Sequence, residues 1–416
     1  MAQERLSSIL SHIRTPSGLT AITAKNPDDI VITYAARTPL TKAGKGGLKD
    51  TPIDALLLQL FKHTLSGSNI DPSLVEDICC GNVNDGFAPY KARVAALAAG
   101  FPNTTAVSSA NRFCSSGLLA VQQIANQIAC GSIEVGLAVG AESMSLSGNS
   151  VPEFNDGVLA VSQEARDCGQ SMGQTSENVG KDFGITREMQ DRYAAESFKR
   201  AEHAQKSGWF DNEVVPIKTT VKNPKTGETV EVTVTKDDGL RYGTTFESLS
   251  KIRPAFTQWG DRSTGGNSSQ VTDGAASVLL MKRSTAERIG QTIMAKFCGA
   301  TVQGVAPRIM GIGPSVAIPK LLGKFKLSNE EVDLFEINEA FASMAVYCIR
   351  ELGLDAEKVN PRGGAIALGH PLGATGARQI VTGLAEARRQ KKKILVTSMC
   401  IGTGQGMAGL FVNEQV

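Results

Sequence analysis

The chain has 416 residues, 41% of them hydrophobic, which is enough for a large core and more than one domain. Lys and Arg number 43 against 41 Asp and Glu, a formal net charge of +2. This balance, with no dense basic run among aromatics and no apolar stretch of membrane-spanning length, excludes a dedicated nucleic-acid surface and a membrane-spanning helix.

The chain opens on Arg5-Leu6, five residues, then His12-Ile13, which sets Leu6, Ile9, Leu10 and Ile13 on one helical face. A link rich in Pro, Gly and Thr follows, so residues 1–28 read as an N-terminal segment and linker. Residues 30–35 read as a strand. Residues 51–65 read as a helix with Pro52 in its first turn. A strand over 77–81, a helix over 89–100 ended by glycine, and a strand over 106–112 aimed at Cys114 come next. A long helix over 116–130 and a strand over 135–139 complete this part. The alternation predicts an α/β fold with a mainly parallel sheet.

Residues 142–271 differ. They are rich in Gly, Ser, Asn, Asp and Lys, with helical stretches over 175–183 and 186–207 and a β-prone stretch over 219–235. They read as an insertion over the catalytic face, where binding loops belong. The C-terminal part then repeats the first scheme: a strand over 332–337, a helix over 339–352, residues 362–368 leading to His370, a helix over 376–389, and strands over 394–398 and 406–412. Cys114 and His370 each begin a small-residue turn, a helix and a strand. This predicts a duplicated βα unit whose turns meet across a pseudo-twofold axis. The expected domains are 29–141 (completed by about 272–290), 142–271 and 291–416.

Four short stretches carry chemistry. Cys114 lies in Asn111-Arg112-Phe113-Cys114-Ser115-Ser116-Gly117, before a helix whose N–H groups and dipole favour thiolate and can hold an oxyanion. A thiol suits thioester exchange, because sulfur both attacks and departs. His370 lies in Gly369-His370-Pro371-Leu372-Gly373-Ala374-Thr375-Gly376 and is the natural base near neutral pH. Cys400, in Met399-Cys400-Ile401-Gly402-Thr403-Gly404, adds a second thiol. Asn338, in Asn338-Glu339-Ala340-Phe341, adds a carboxamide. The eight cysteines form no C-x-x-C pair and no zinc-spaced cluster, so free thiols and no metal are expected. Gly404-Gln405-Gly406-Met407-Ala408-Gly409 fits G-x-G-x-x-G, yet it stands too near the end of the chain to open a dinucleotide-binding unit.

Together these stretches resemble those of thiolases, from about residue 30 to the C-terminus. The resemblance implies two βαβαβαββ halves in five α-β-α-β-α layers with an inserted loop domain that holds coenzyme A. It implies no permanently bound cofactor, coenzyme A and a 3-ketoacyl-CoA as substrates, and a homodimer. It also implies roles: Cys114 as acyl-accepting nucleophile, His370 as its base, and Cys400 as the acid/base for the enolate and for incoming coenzyme A. Asn338 (through a water) and His370 would form one oxyanion hole, and the N–H groups of Cys114 and Gly402 the other. The stretch 266–274, with Ser269 and Val271, resembles the pantetheine loop. Arg241 and Ser248 resemble contacts to the adenine-nucleotide end, and Met172 and Phe341 resemble wall residues beside the acyl thioester.

Ser171-Met172 replaces the His-Met of acetoacetyl-specific relatives. Lys45-Gly46-Gly47-Leu48-Lys49-Asp50 also resembles the degradative branch. The expectation is thiolytic cleavage of 3-ketoacyl-CoA in fatty-acid β-oxidation. The alternatives are an acetoacetyl-CoA-specific acetyl-CoA acetyltransferase and, from another class, a non-catalytic lipid-carrier relative. Arg5, Leu6, His12 and Ile13 resemble the second peroxisomal targeting signal, with Ile13 where Leu or Ala is usual; an import receptor would read it. A peroxisomal location is expected, with the mitochondrion as alternative. Glu4 and two early arginines fit a mitochondrial presequence poorly.

Overall fold

The computed structural model describes residues 18–148, 152–223 and 225–416. The pattern of Arg5, Leu6, His12 and Ile13 lies outside the described residues.

The strands are β1 (Ile30–Arg37), β2 (Thr41–Lys42), β3 (Asp77–Gly81), β4 (Ala106–Ala110), β5 (Val135–Ser143), β6 (Ile217–Lys222), β7 (Thr229–Val234), β8 (Thr272–Lys282), β9 (Ala295–Gly304), β10 (Leu334–Ile337), β11 (Ile394–Ile401) and β12 (Gln405–Asn413). One hydrogen-bonded path runs β10-β11-β12-β9-β1-β8-β5-β3-β4, with β2 beside β8 and the β6–β7 ribbon separate. The first half of the fold holds β1, β3, β4, β5 and β8, and the second holds β9 to β12.

The sheet is mixed, which corrects the mainly parallel expectation. Only β3–β4, β3–β5 and β10–β11 pair in parallel. The centre of the path is antiparallel. The reason lies in the connections. A parallel neighbour needs a crossover, whereas β11 turns directly into β12, and β8 returns only after the long insertion. β8 and β9 are absent from the sequence reading. β8 is buried along nearly its whole length, so it shows no polar alternation.

Eight helices matter for the site: α1 (Ile53–Ser68), α2 (Ala88–Ala99), α3 (Ser116–Ala129), α4 (Met172–Asp182), α5 (Arg187–Lys206), α6 (Gly313–Phe325), α7 (Ala342–Glu351) and α8 (Thr375–Gln390). On one outer face, Leu56, Leu60 and Phe61 of α1 pack on Ile78, Leu137 and Leu279. On the other, Ile318 and Leu321 of α6 pack on Val396 and Leu410. Between the sheets, α3 and α8 share one core through Leu118, Ile124, Ile380 and Leu384. The layers are therefore α-β-α-β-α.

The two central helices touch backbone to backbone. A Cβ on Gly117 would lie 2.7 Å from the Ala377 nitrogen, and one on Gly376 would collide with the Leu118 nitrogen. Glycine at both places lets the turns before α3 and α8 come together. Buried ion pairs fix the insertion to this core. Arg37 of β1 binds Glu213 at 2.6 Å and grips Asp237 with two bonds of 2.7 and 2.8 Å. Arg362 binds Glu213 at 3.1 Å and Glu386 at 2.6 Å. Breaking one partner of such a network leaves an uncompensated buried charge, at a cost of about 3–5 kcal/mol.

Candidate active site

Cys114 sits at the end of a strained turn. Phe113 has φ 46°, in the left-handed region. The turn is held by its own side chains: Ser115 Oγ donates to the Arg112 carbonyl at 2.9 Å, and Ser116 Oγ donates to the Phe113 carbonyl at 2.6 Å. Asn111 Oδ1 accepts from the Phe113 N–H at 2.9 Å. The Ser115 and Ser116 N–H groups are spent on the Arg112 and Phe113 carbonyls, at 3.1 and 3.0 Å. The N–H groups of Cys114 and Gly402 bond the sulfur.

That accounting reverses one expectation. The thiol is not lowered by the helix terminus; burial pushes it up to about 11, against the pull of those two N–H groups. Cys114 therefore rests as a thiol near neutral pH.

His370 stands on the matching turn. Its N–H donates to the Gln270 carbonyl at 3.0 Å and to Thr272 Oγ1 at 3.2 Å, which ties the turn to the start of β8. Its Nδ1 lies 2.6 Å from Thr375 Oγ1, and that hydroxyl donates to the Pro371 carbonyl at 3.2 Å. Thr375 therefore accepts from Nδ1, and the lone pair stands on Nε2. Asn338 Nδ2 donates to Nε2 at 3.3 Å. The Asn338 Oδ1 is buried without a partner. Burial and the nearby Arg378 guanidinium push the imidazole down to about 3, so it rests neutral.

Cys400, at the end of β11, has its sulfur 3.7 Å from Met344 Sδ. Its pKa is held well above the ordinary value by burial and by the neighbouring Cys114 and Cys348. The following turn uses positive φ at Thr403 (69°) and Gly404 (91°), and it carries Gly402 against the Phe113 ring. The four groups named from sequence are all buried, with exposures of 9% for Cys114, 5% for His370, 1% for Cys400 and 2% for Asn338; Asn338 bonds His370, and Cys400 neighbours Cys114.

Asn338 closes β10, but the helix after it begins at Ala342 rather than at Glu339. Glu339 to Phe341 are held extended: the Ser269 N–H donates to the Ala340 carbonyl and the Ala342 N–H to the Asn267 carbonyl, at 3.0 and 2.9 Å. The Glu339 carboxylate accepts from Tyr193, Ser197 and Asn360 at 2.7–2.9 Å. Phe341 then joins Met310, Met344, Phe256 and Cys400 in an apolar cluster.

Of the loop residues named from sequence, Ser269 and Phe341 reach this face. Met172, 38% exposed, opens α4, whose Gly173 lies under the Phe256 ring. Arg241 is exposed at the rim and donates to the Gly265 carbonyl at 3.4 Å. Val271 is exposed. Ser248 is committed elsewhere: its hydroxyl donates to the Thr245 carbonyl at 2.8 Å and accepts from the Thr245 N–H at 3.0 Å in a capping box. Sequence reasoning missed Thr375, Met344, Met310 and Phe256. Thr375 stands in the His370 motif, and Met344 lies three residues past Phe341, so both carried a local signal. Met310 and Phe256 arrive from distant segments and carried none. Among the described residues, no group of three or more His, Cys, Asp or Glu could hold a metal ion, and no helix is long and apolar enough to cross a membrane.

Two thiols, an imidazole with its lone pair on Nε2, and backbone donors at the Cys114 sulfur are groups that acyl transfer can use. Residues 30–284 match the thiolase N-terminal domain, and residues 291–413 match the thiolase C-terminal domain. The chain is 50% identical over 416 residues to the peroxisomal 3-ketoacyl-CoA thiolase of Yarrowia lipolytica, covering 99% of this chain and 100% of that one. It is 47% identical over 420 residues to the peroxisomal 3-ketoacyl-CoA thiolase of Homo sapiens, covering 98% and 99%. The crystal structure of the dimeric peroxisomal thiolase of Saccharomyces cerevisiae superposes with a TM-score of 0.87 at 44% identity, covering 95% of this chain and 100% of that one. The Bacillus anthracis acetyl-CoA acetyltransferase structure superposes at 0.83 with 36% identity, covering 94% and 100%. The chain belongs to the thiolase family.

Proposed function

We propose that this protein is a 3-ketoacyl-CoA thiolase of fatty-acid β-oxidation, acting in the peroxisome as a homodimer. The observation that carries the reading is the second thiol, Cys400, beside a Cys114 sulfur that two backbone N–H groups bond; His370, with its Nε2 lone pair fixed by Thr375, is the base this reading assigns to that pair.

The Cys114 sulfur adds to C3 of the 3-ketoacyl-CoA as its proton passes to His370 Nε2. The resting pair is neutral, so proton transfer accompanies C–S bond formation rather than preceding it. The N–H groups of Cys114 and Gly402 receive the oxyanion. The C2–C3 bond then breaks, and its electron pair leaves as the acetyl-CoA enolate, whose oxygen is held by protonated His370 and, through a water, by Asn338. Each such donor is worth about 10²–10³ in rate. The Cys400 thiol protonates C2, and acetyl-CoA departs. The resulting thiolate takes the proton of incoming coenzyme A, whose sulfur attacks the acyl carbonyl and displaces the Cys114 sulfur, and protonated His370 returns its proton to that leaving sulfur. Coenzyme A is a substrate, and no permanently bound cofactor takes part. The apolar cluster of Phe341, Met310, Met344 and Phe256 shields the acyl-enzyme from water.

Residues 142–271 hold coenzyme A between halves formed by 29–141 with 272–290 and by 291–416. Ser269 and Val271 lie against the pantetheine, Arg241 and Ser248 toward the nucleotide, and Met172 and Phe341 along the wall. Dimerisation is supported by β4, which ends the strand path as an unpaired edge, and by exposed Phe87, Tyr90 and Val94 beside it. Arg5, Leu6, His12 and Ile13 address the chain to an import receptor; diffuse cytosolic signal from residues 1–28 fused to a fluorescent reporter would refute that address.

Thiolysis assayed across acyl lengths tests the substrate class. Turnover of long and medium 3-ketoacyl-CoA is expected. Activity confined to acetoacetyl-CoA would transfer the assignment to an acetyl-CoA acetyltransferase.

A further inference from the structure

The pseudo-twofold axis relates specific residues as well as elements. Across α3 and α8, Gly117 meets Ala377 while Gly376 meets Leu118, so Gly117 and Gly376 exchange under the axis. Counting back three residues in each turn, Cys114 corresponds to Gly373. In the strands, Gly81 pairs with Gly140 and Ile337 pairs with Ser398. Asn82 follows Gly81 as Asn338 follows Ile337. Glu142 stands two residues past Gly140, as Cys400 stands two past Ser398. The active site thus has a mirror position in the N-terminal half, made of Asn82, Glu142 and Gly373, where a carboxylate replaces the second thiol and a glycine the nucleophile.

Glu142 is fully buried. Its Oε2 accepts from the Gly373 N–H at 2.9 Å and the Val83 N–H at 3.0 Å. Its Oε1 accepts from Asn82 Nδ2 at 3.1 Å and the Asn84 N–H at 3.2 Å. Asn111, which opens the nucleophile turn, donates to the Val83 carbonyl at 3.1 Å. One carboxylate therefore joins the His370 turn, through Gly373, to the loop that also holds the Cys114 turn.

We propose that Glu142 is the positioning residue that sets the His370 turn against the Cys114 turn. The inference rests on the roles given to Cys114 and His370 above. The Glu142 carboxyl group acts as an acceptor on both oxygens. Four N–H donors converge on it, and an amide in its place would turn its own donors toward some of them. A displacement of about 1 Å between base and nucleophile costs about 10²-fold in rate.

Glu142→Gln in the full-length protein tests this through three readouts: kcat and KM for thiolysis, the rate of Cys114 alkylation by iodoacetamide followed at that residue by mass spectrometry, and the thermal midpoint. For folded enzyme, kcat falls about 10²-fold with KM within about threefold, and alkylation slows about tenfold. Glu142→Asp, which keeps the acceptor charge, recovers part of both losses. A folded Gln variant with kcat and alkylation within about threefold of the unaltered protein overturns the proposal, as does a loss of thermal midpoint with unchanged kcat per folded molecule. Should the Gln variant not fold, Asn82→Ala, which leaves the carboxylate in place, carries the same comparison: slower alkylation and lower kcat support the proposal, and unchanged values overturn it. If the unaltered protein cleaves no 3-ketoacyl-CoA, the proposed function fails, while the alkylation rates still judge Glu142.

Discussion

The buried floor of the site and the exposed insertion above it are built on opposite principles. On the floor, Cys114, His370, Cys400 and Asn338 are each at most 9% exposed, and each is fixed by a turn, a hydrogen bond or a packed sulfur. In the insertion, Arg241 and Val271 face solvent, and Ser248 spends its hydroxyl on a helix cap. Burial on the floor controls protonation: it raises the Cys114 thiol to about 11 and lowers the His370 imidazole to about 3. Exposure in the insertion leaves side chains screened by water, where a single charge is worth about 0–1 kcal/mol. Substitutions on the floor should therefore cost rate, and those above it should cost affinity.

The sharpest break of that contrast would come at Cys114. Cys114→Ala should reduce thiolysis to background while the folded state, read by circular dichroism, is unaltered; retained thiolysis would end the assignment. His370→Ala should lower kcat by about 10²–10⁴, measured on the same substrate.

The pH profile sharpens the point. An ordinary histidine would lose its base form as pH falls through 6.5. Because this imidazole is pushed down to about 3, its neutral form persists below that, and kcat/KM should show no acid limb near 6.5. An acid limb there that disappears in His370→Ala would contradict the buried, neutral base. Asn338→Ala should cost about 10²–10³ in kcat with a smaller change in KM. The smallest effect belongs to the rim: Arg241→Ala should raise KM for coenzyme A by no more than about fivefold, leave kcat unchanged, and matter less at high salt. A kcat loss at Arg241 equal to that at Asn338 would erase the distinction between floor and rim.

Cys114, His370, Cys400 and Asn338 could be singled out because each stands in a short motif, three of them rich in small residues that a packed core does not require. The elements around Cys114 and His370 were legible for the same reason, with α3 and α8 beginning just after their motifs. β8 was not, since a strand buried on both faces carries no alternation. Nor was α6, which carries Pro319 in its interior, an ordinary signal for a break. The start of α7 was misplaced because the Asn267 and Ser269 backbone holds residues 339–341 extended, a contact between segments about seventy positions apart in sequence.

By itself the sequence singled out the candidate reacting groups and the repeated strand–helix scheme, since side-chain chemistry and turn-forming residues are local properties. The tertiary structure alone decided the direction of the sheet strands, the protonation of the thiol and the imidazole, and the identity of the wall. It also decided that Glu142 stands opposite Cys400 across the axis. These depend on burial and on neighbours brought from remote parts of the chain, and neither is written in the residues next to the motif.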